Sequence, residues 1–167
     1  MENITSVNTT YLGFKLGKEV FAISVDNVIE VILNQEVTSV PKTSEYIVGI
    51  TNFRGDILSV VSARKKLNVK SGDEALEKVI IIVEFKSKNS HSKLGIIADK
   101  VIGVITIKEN EIQPVLEFGN YYNPEFLKGA FKYRGDIISI LDVLKIFSQE
   151  EITIINQEAR KTEKKKQ

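Results

Sequence analysis

The feature that most constrains this chain is an internal repeat. Residues 46–67 and 126–147 align without a gap at an offset of 80, and seven of the 22 positions are identical. Most of the other positions keep their apolar character. The pattern predicts an internal duplication. The identical pairs are Gly49/Gly129, Arg54/Arg134, Gly55/Gly135, Asp56/Asp136, Ile57/Ile137, Ser59/Ser139 and Lys65/Lys145.

A second, shorter block supports the duplication. Residues 26–32 and 99–105 agree at five of seven positions at an offset of 73, and Pro41 and Pro114 keep that offset. Two ordered blocks with consistent spacing are hard to obtain by chance in a chain rich in Val and Ile. The change of offset predicts seven extra residues in the second copy, between Pro114 and Phe126.

Each copy has the pattern of about five short strands joined by glycine-containing turns. Leu12, Phe14 and Leu16 alternate with other residues, and residues 21–25 alternate in the same way, which predicts a hairpin. Residues 52–56 form a tight connection, since glycine tolerates positive φ there. The fold class is therefore mainly β, and short strands of this kind indicate small closed barrels or strongly bent sheets. The turn residues are Asn52, Gly55 and Gly135.

The repeat sets the expected domain organisation. Subdomain 1 is expected at about 20–69 and subdomain 2 at about 79–147, with the polar segment 70–78 as the link. The run Val79–Val83 is apolar at every position, so this strand should be buried on both faces, where the two copies meet.

Short helical elements are predicted at three places. Asp26 is expected to cap one helical turn before a third strand. A short helical turn is expected over residues 62–67. Ser148 and Glu151 form a capping-box pattern, which predicts a final helix running to about Arg160.

Composition excludes most kinds of chemistry. The chain has no Cys, and its one histidine, His91, lies in a polar hairpin loop. No EF-hand spacing, nucleophile elbow, phosphate-binding loop or dinucleotide fingerprint is present. We therefore expect a protein that is not an enzyme and that needs no metal and no cofactor.

Charge and hydropathy bear on partners and location. The net charge is +1, which gives no reason to expect nucleic acid. The longest uninterrupted aliphatic run is far too short to span a membrane, and residues 1–10 lack the pattern of a signal peptide. A cytoplasmic protein without direct membrane insertion is predicted. The basic residues near the C-terminus are typical of a solvated end.

A family resemblance begins at the tight connection. Residues 49–55 (GITNFRG), 57–61 (ILSVV) and Arg64 resemble the signature of the CheW family of bacterial chemotaxis coupling proteins. The resemblance covers residues 11–152 and leaves 153–167 as a basic C-terminal helix or tail. It implies two intertwined five-stranded SH3-like barrels, with the N-terminal and C-terminal segments packing between them. The other segments that carry it are residues 11–16, 28–32, 94–101 and 137–142.

The resemblance also implies a function. A family member is a scaffold that joins the regulatory domain of the chemotaxis histidine kinase to the cytoplasmic tip of a methyl-accepting chemoreceptor, and is recruited to receptor arrays at the inner membrane. The family's Glu and Arg fall on Glu30 and Arg54; the two are expected to pair, with a contact role and a structural role equally open. The implied kinase-binding residues are Val28, Glu30 and Gly49. The implied receptor-binding residues, in a groove between the barrels, are Arg54, Val79 and Val101.

The first copy departs from the family pattern after the motif. Ser59, Ser62 and Ala63 stand where the family usually has Pro, Asp and Leu. This leaves open which chemosensory system the chain serves. The alternative function is a small β-barrel module that binds a ligand or nucleic acid, which near-neutral charge and few aromatics at alternating strand positions disfavour.

Overall fold

Alternating apolar residues form strands along most of the chain. The computed structural model describes residues 7–33, 35–41, 44–70, 72, 78–88, 90–114 and 123–165. Within these ranges the protein is mainly β. The strands are β1 Asn8–Leu16, β2 Glu19–Ser24, β3 Val28–Leu33, β4 Ile47–Phe53, β5 Asp56–Ser62, β6 Val79–Ser87, β7 Ser90–Ala98, β8 Lys100–Lys108, β9 Leu127–Tyr133 and β10 Asp136–Leu141. The α-helices are α1 Ala63–Lys66, α2 Val143–Ile146 and α3 Gln149–Lys165, and 3-10 turns lie at Val25–Asn27, Glu109–Glu111 and Pro124–Phe126.

The strands pair into two five-stranded sheets that exchange hairpins. Sheet I has the order β8-β1-β2-β10-β9, and sheet II has the order β3-β6-β7-β5-β4. Each sheet therefore combines the hairpin of one copy of the repeat with three strands of the other copy. A parallel pairing makes each join, β2 with β10 in sheet I and β7 with β5 in sheet II. The expected pair of intertwined five-stranded units is confirmed.

The expected subdomain boundaries do not coincide with the sheets. The segment 20–69 includes most of β2, which lies in sheet I, whereas β3, β4 and β5 lie in sheet II. The segment 79–147 is divided in the same way. Alternation shows which residues of a strand face inward, but it does not show which strand lies beside it.

In each sheet, the segment that follows one edge strand forms backbone hydrogen bonds with the strand at the opposite edge. Thr38, which follows β3, exchanges two backbone hydrogen bonds of 2.8 Å with Ile50 in β4. Gln113, which follows β8, exchanges bonds of 2.8 and 2.9 Å with Ala130 in β9. The same bridge thus joins the two edges of each sheet, so each sheet curls around its own core.

A glycine lies beneath each of these bridges. A Cβ atom on Gly49 would lie only 2.1 Å from the carbonyl oxygen of Thr38, and one on Gly129 would lie 2.9 Å from that of Gln113. Close backbone approach therefore explains why this pair is identical in the repeat. Thr38 and Gln113 are 75 residues apart, so Pro41 and Pro114 do not occupy equivalent positions. The shared offset of the two prolines is not evidence for the duplication.

The apolar side chains form three clusters. One fills sheet I and includes Tyr11, Phe131 and Ile138. A second fills sheet II and includes Phe53 and Val60. The largest lies between the sheets and extends under α2 and α3; we call it the inter-sheet core.

Strand β6 is buried on both faces, as predicted. Ile80 and Ile82 point into sheet II, whereas Val79, Ile81 and Val83 belong to the inter-sheet core. Each of these five residues is at most 7% exposed. The strand comes from the second copy and pairs with β3 of the first, so the copies do meet there.

The helix ends follow their capping residues, with two corrections. Ser62 caps α1, and Ser148 and Glu151 form the reciprocal bonds of a capping box before α3; both predictions are confirmed. The cap of the 3-10 turn is Ser24 rather than Asp26, because its hydroxyl accepts the Asp26 N–H. Helix α3 continues past Arg160 to Lys165. Most of the link 70–78 and all of 115–122 lie outside the described ranges. The offsets of 75 at Thr38/Gln113 and 80 at Ile50/Ala130 correct the predicted insertion: five extra residues follow Gln113, and the other two precede it.

Candidate functional site

The β4–β5 connection is a two-residue hairpin turn in a strained conformation. Phe53 pairs directly with Asp56, and the residues between them, Arg54 and Gly55, have φ values of 52° and 87°. Positive φ at both central positions defines a type I′ turn, which usually takes Asn-Gly rather than Arg-Gly. The Gly55 N–H donates to Asn52 Oδ1 at 3.0 Å. The turn therefore holds an arginine in a backbone conformation that costs a residue with a Cβ about 1–2 kcal/mol.

Arg54 pairs with Glu30 from the edge strand β3. The guanidinium Nη2 lies 3.1 Å from Glu30 Oε1, and the same guanidinium lies 4.9 Å from the centre of the Phe53 ring. The two charged side chains are 67% and 38% exposed. A pair this exposed contributes at most about 1 kcal/mol to stability, so both charges remain available on one surface. We call Glu30, Arg54 and Phe53 the turn surface.

The second copy has the same turn but no acidic residue at the position equivalent to Glu30. Arg134 and Gly135 have φ values of 48° and 85°, and Arg134 lies 5.1 Å from the centre of the Tyr133 ring. The position equivalent to Glu30 is Gly103. Among the described residues Arg134 has no ion pair. The Glu30–Arg54 pair is therefore a feature of one end of the molecule only.

Val28 and Val101 occupy equivalent places. Val28 pairs with Val83 and Val101 pairs with Phe14, the equivalent positions on β6 and β1. Both valines are partly buried against the inter-sheet core. Val79 belongs to the same core and is only 7% exposed. Val28 and Val101, which the resemblance had divided between two partners, thus occupy corresponding positions in sheet II and sheet I.

The remaining expected contacts are also rearranged. Gly49 is buried beneath Thr38, so it offers no surface to a partner, and its place in the sequence has a packing reason. The expected pairing of Arg54 with Glu30 is confirmed, so Arg54 is grouped with Glu30 here. The sequence positions therefore sort into the charged turn surface at sheet II and an apolar set along the inter-sheet core.

Strand β8 exposes apolar residues that the sequence analysis missed. Ile102 and Val104 are 38% and 65% exposed, although the strand also buries Ile105 and Ile107. Its apolar residues on both faces are typical of a central strand, yet β8 is an edge strand. The signal available in the sequence was a glycine, Gly103, inside the strand. In the structure it has a φ of 130° and lies next to Ile102, which has no partner where the register with β1 shifts. We call Val101, Ile102 and Val104 the β8 edge.

The start of helix α3 is tied to sheet II by a charged cluster. Tyr46 Oη and Lys66 Nζ both donate to Glu151 Oε2, at 2.7 and 2.6 Å. Burial acts to raise the pKa of Glu151, but the hydrogen bonds from Lys66, Tyr46 and the Ser148 N–H outweigh it, so the pKa lies below its ordinary value. Burial and the Glu151 hydrogen bond raise the pKa of Tyr46. The cluster therefore holds the first turn of α3 against Tyr46 and Lys66.

The described residues offer neither a metal cluster nor a membrane span. Among the described residues, no three His, Cys, Asp or Glu side chains lie close enough to hold a metal ion. The helices within the described ranges include none that combines the length and the apolar composition needed to cross a membrane.

Two interlocked β sheets with a charged turn surface and an apolar edge define a scaffold domain. The model of the CheW-like domain family matches residues 10–151, so the chain belongs to the CheW-like family. Chemotaxis protein CheW from Thermotoga maritima is 30% identical over 143 residues, which cover 86% of this chain and 89% of the relative. The crystal structure of the scaffolding protein TtCheW from Thermoanaerobacter tengcongensis is similar with a TM-score of 0.74 and 29% identity, over 87% of this chain and 96% of that one.

A larger chemotaxis protein contains a stretch similar to this chain. Chemotaxis protein CheA from Borreliella burgdorferi is 25% identical over 153 residues, which cover 90% of this chain but 16% of that protein. The similarity therefore lies in one part of the larger protein. Membership in the family rests on the CheW relatives and the family model, which cover most of this chain.

Proposed function

We propose that this chain is a non-enzymatic chemotaxis adaptor that couples the cytoplasmic tips of chemoreceptors to the chemotaxis histidine kinase. The observation that carries the proposal is the separation of two chemically different surfaces on one interlocked body. The turn surface is charged and the β8 edge is apolar, and they lie on different sheets. An adaptor needs two such surfaces so that both partners bind at once.

The turn surface is the proposed contact for the kinase. Glu30 and Arg54 are exposed charges next to the Phe53 ring, and arginine beside an aromatic residue is common among residues that dominate binding energy. The kinase partner is the regulatory domain. Similarity of this chain to part of a CheA protein supports a contact between two related β domains.

The β8 edge is the proposed contact for the receptor, whereas Val28 is grouped with the proposed kinase contact because it lies two residues before Glu30 on β3. A receptor tip is expected to present an apolar helical face, and Ile102 and Val104 supply an apolar strip to cover it. The adaptor would act in the cytoplasm, recruited to receptor arrays at the inner membrane.

The nucleic-acid alternative gains nothing from the net charge of +1. Among the described residues, buried side chains fill the interiors of both sheets, so a small ligand would have to bind outside them.

Two calorimetric titrations test the proposal. The first uses the C-terminal regulatory domain of a chemotaxis kinase from the same cell, and the second uses the cytoplasmic fragment of a chemoreceptor. Arg54→Glu should weaken kinase binding at least tenfold and leave receptor binding unchanged, whereas Val104→Asp should do the reverse. Arg134→Glu is the matched control for the first variant. Failure of the wild-type protein to bind any such kinase domain would overturn the proposal.

A further inference from the structure

A cleft of about 390 Å³ lies between helix α3 and sheet II. It is distinct from the β8 edge and borders the turn surface, because Phe53 and Asp56 flank the Arg54-Gly55 turn. Its volume falls in the usual range for sites that enclose a small group of atoms. The residues around it are Phe53, Asp56, Ile57, Leu58, His91, Ser92, Lys93, Asn156, Ala159 and Arg160.

The cleft has an apolar floor. Phe53, Leu58 and Ala159 are all no more than 7% exposed, and they come from β4, β5 and α3. Their side chains are held by the sheet and the helix, so the floor is preformed. An apolar side chain that entered the cleft would be removed from water, which favours binding, and no protein group would have to move to admit it.

Unpaired positive charge lies at the rim. Lys93 and Arg160 are exposed, and neither makes an ion pair with another described side chain. His91 is already bonded to Glu84, at 3.2 Å. Asp56 is the acidic residue among those that line the cleft. Lys93 and Arg160 together exceed the charge of Asp56, so the lining is net positive without any contribution from His91. It favours an anionic group, although Glu84 lies opposite Lys93 on the neighbouring strand.

Helix α3 is fixed as one wall of the cleft. The Ser59 hydroxyl donates to Asn156 Oδ1 at 3.1 Å, which a proline at position 59 would not allow because it has no hydroxyl. Asn156, Ala159 and Arg160 all lie beyond residue 151, where the match to the family model ends. The wall is therefore contributed by a segment outside the matched domain.

We propose that this cleft binds an acidic segment of a protein partner, with an apolar side chain on the floor and a neighbouring carboxylate at Lys93 and Arg160. The occupant is a protein segment because the cleft is continuous with the turn surface, where a protein partner is proposed to bind. Charge complementarity selects an acidic segment over a basic one.

The test is a two-dimensional amide NMR titration of the full chain with blocked dipeptides. The probe is phenylalanine joined to glutamate, with acetyl and amide caps; the controls replace glutamate by lysine, or phenylalanine by alanine. We expect saturable shifts at Ser92, Lys93 and Ala159, with the glutamate probe binding at least tenfold more tightly than the lysine one. The alanine control should bind at least threefold more weakly than the probe.

Variants assign the contact to the rim. Arg160→Glu and Lys93→Glu should each lower the affinity for the glutamate probe at least fivefold. Lys132→Glu makes the same charge change at an exposed position on β9 of the other sheet, and it should leave the affinity unchanged. Equal shifts with the lysine and glutamate probes, or unchanged affinity in Arg160→Glu, would overturn the proposal. Tighter binding of 3-phenylpropionate than of the dipeptide would also overturn it, since the cleft would then serve a small organic acid. None of these outcomes depends on the kinase or receptor contacts.

Discussion

Arg54 and Glu30 form an ion pair of 3.1 Å across the edge of sheet II, whereas the equivalent arginine of the second copy, Arg134, faces a position occupied by Gly103. Both arginines have positive φ and lie against the preceding aromatic ring. The two turns thus share backbone geometry and differ in one acidic partner. This makes each turn the control for the other.

Asparagine at the two turns separates backbone strain from the ion pair. Arg134→Asn should relieve left-handed strain and lose only the ring contact, so its free energy of unfolding should stay level or rise by about 1 kcal/mol. Arg54→Asn also loses the exposed pair with Glu30 and should be less stable than Arg134→Asn by up to about 1 kcal/mol. Chemical denaturation of both variants checks this. A more stable Arg54→Asn would show that the pair with Glu30 is unfavourable.

Gly49 and Gly129 should tolerate alanine to different degrees. In Gly49→Ala the new methyl group would meet the Thr38 carbonyl oxygen at 2.1 Å, so the backbone bridge must move. In Gly129→Ala the new methyl group would meet the Ile112 Cγ2 at 2.6 Å and the Gln113 carbonyl oxygen at 2.9 Å, so the backbone oxygen is farther away than at Gly49. We expect losses of about 3 kcal/mol or more for Gly49→Ala and about 1–3 kcal/mol for Gly129→Ala in guanidinium unfolding. Equal decreases in the free energy of unfolding would mean that the backbone bridges at Thr38 and Gln113 adjust to the added methyl group equally well.

The duplication was visible in the sequence because it repeats side chains that local geometry requires. Gly49 and Gly129 fit beneath a bridge, and Gly55 and Gly135 adopt positive φ in hairpin turns. Strand alternation and the capping box at Ser148 are also local patterns, which is why the mainly β class and helix α3 could be predicted.

The exchange of hairpins and the arrangement of the surfaces could not be predicted in this way. Which strand lies beside β2 depends on contacts distant in the sequence. For the same reason Gly49 was assigned to a contact surface when it is buried, and the exposure of Val104 was missed. Ser59 was visible as a departure from the family pattern, but its bond to Asn156 required the position of α3.

The charged cluster at the start of α3 should make stability depend on pH. The pKa of Glu151 is lowered in the folded protein, so the stability it contributes is present above its ordinary value near 4.5 and is lost as the pH falls through the folded value. Glu151→Gln should therefore be less stable than wild type by about 1–2 kcal/mol at neutral pH. The difference should shrink as the pH falls towards 3. Urea unfolding at both pH values measures it; a difference that is constant with pH would remove Glu151 as the titrating group.

Asp99 and Asp26 are equivalent in the repeat and provide the sharpest test of what holds the exchanged hairpins in place. The Asp99 carboxylate accepts the Gly17 N–H in the β1–β2 turn and pairs with Arg64 at 3.2 Å, with both charged side chains no more than 16% exposed. Asp99 lies between β7 of sheet II and β8 of sheet I. Gly17 lies in the hairpin that belongs to sheet I, and Arg64 lies in α1, directly after β5 of sheet II. This single carboxylate therefore links the two sheets, whereas Asp26 is exposed.

Asparagine at each position removes the charge while keeping the shape of the side chain. Asp99→Asn should lower the free energy of unfolding by about 2–4 kcal/mol, because the partly buried Arg64 loses the charge of Asp99. Asp26→Asn should change it by less than about 0.5 kcal/mol. Hydrogen exchange in Asp99→Asn should also increase first at β1 and β2, since their turn loses its bond to the other sheet. If the two variants lose equal stability, the carboxylate at Asp99 does not hold the sheets together, and the apolar inter-sheet core alone must maintain the exchange.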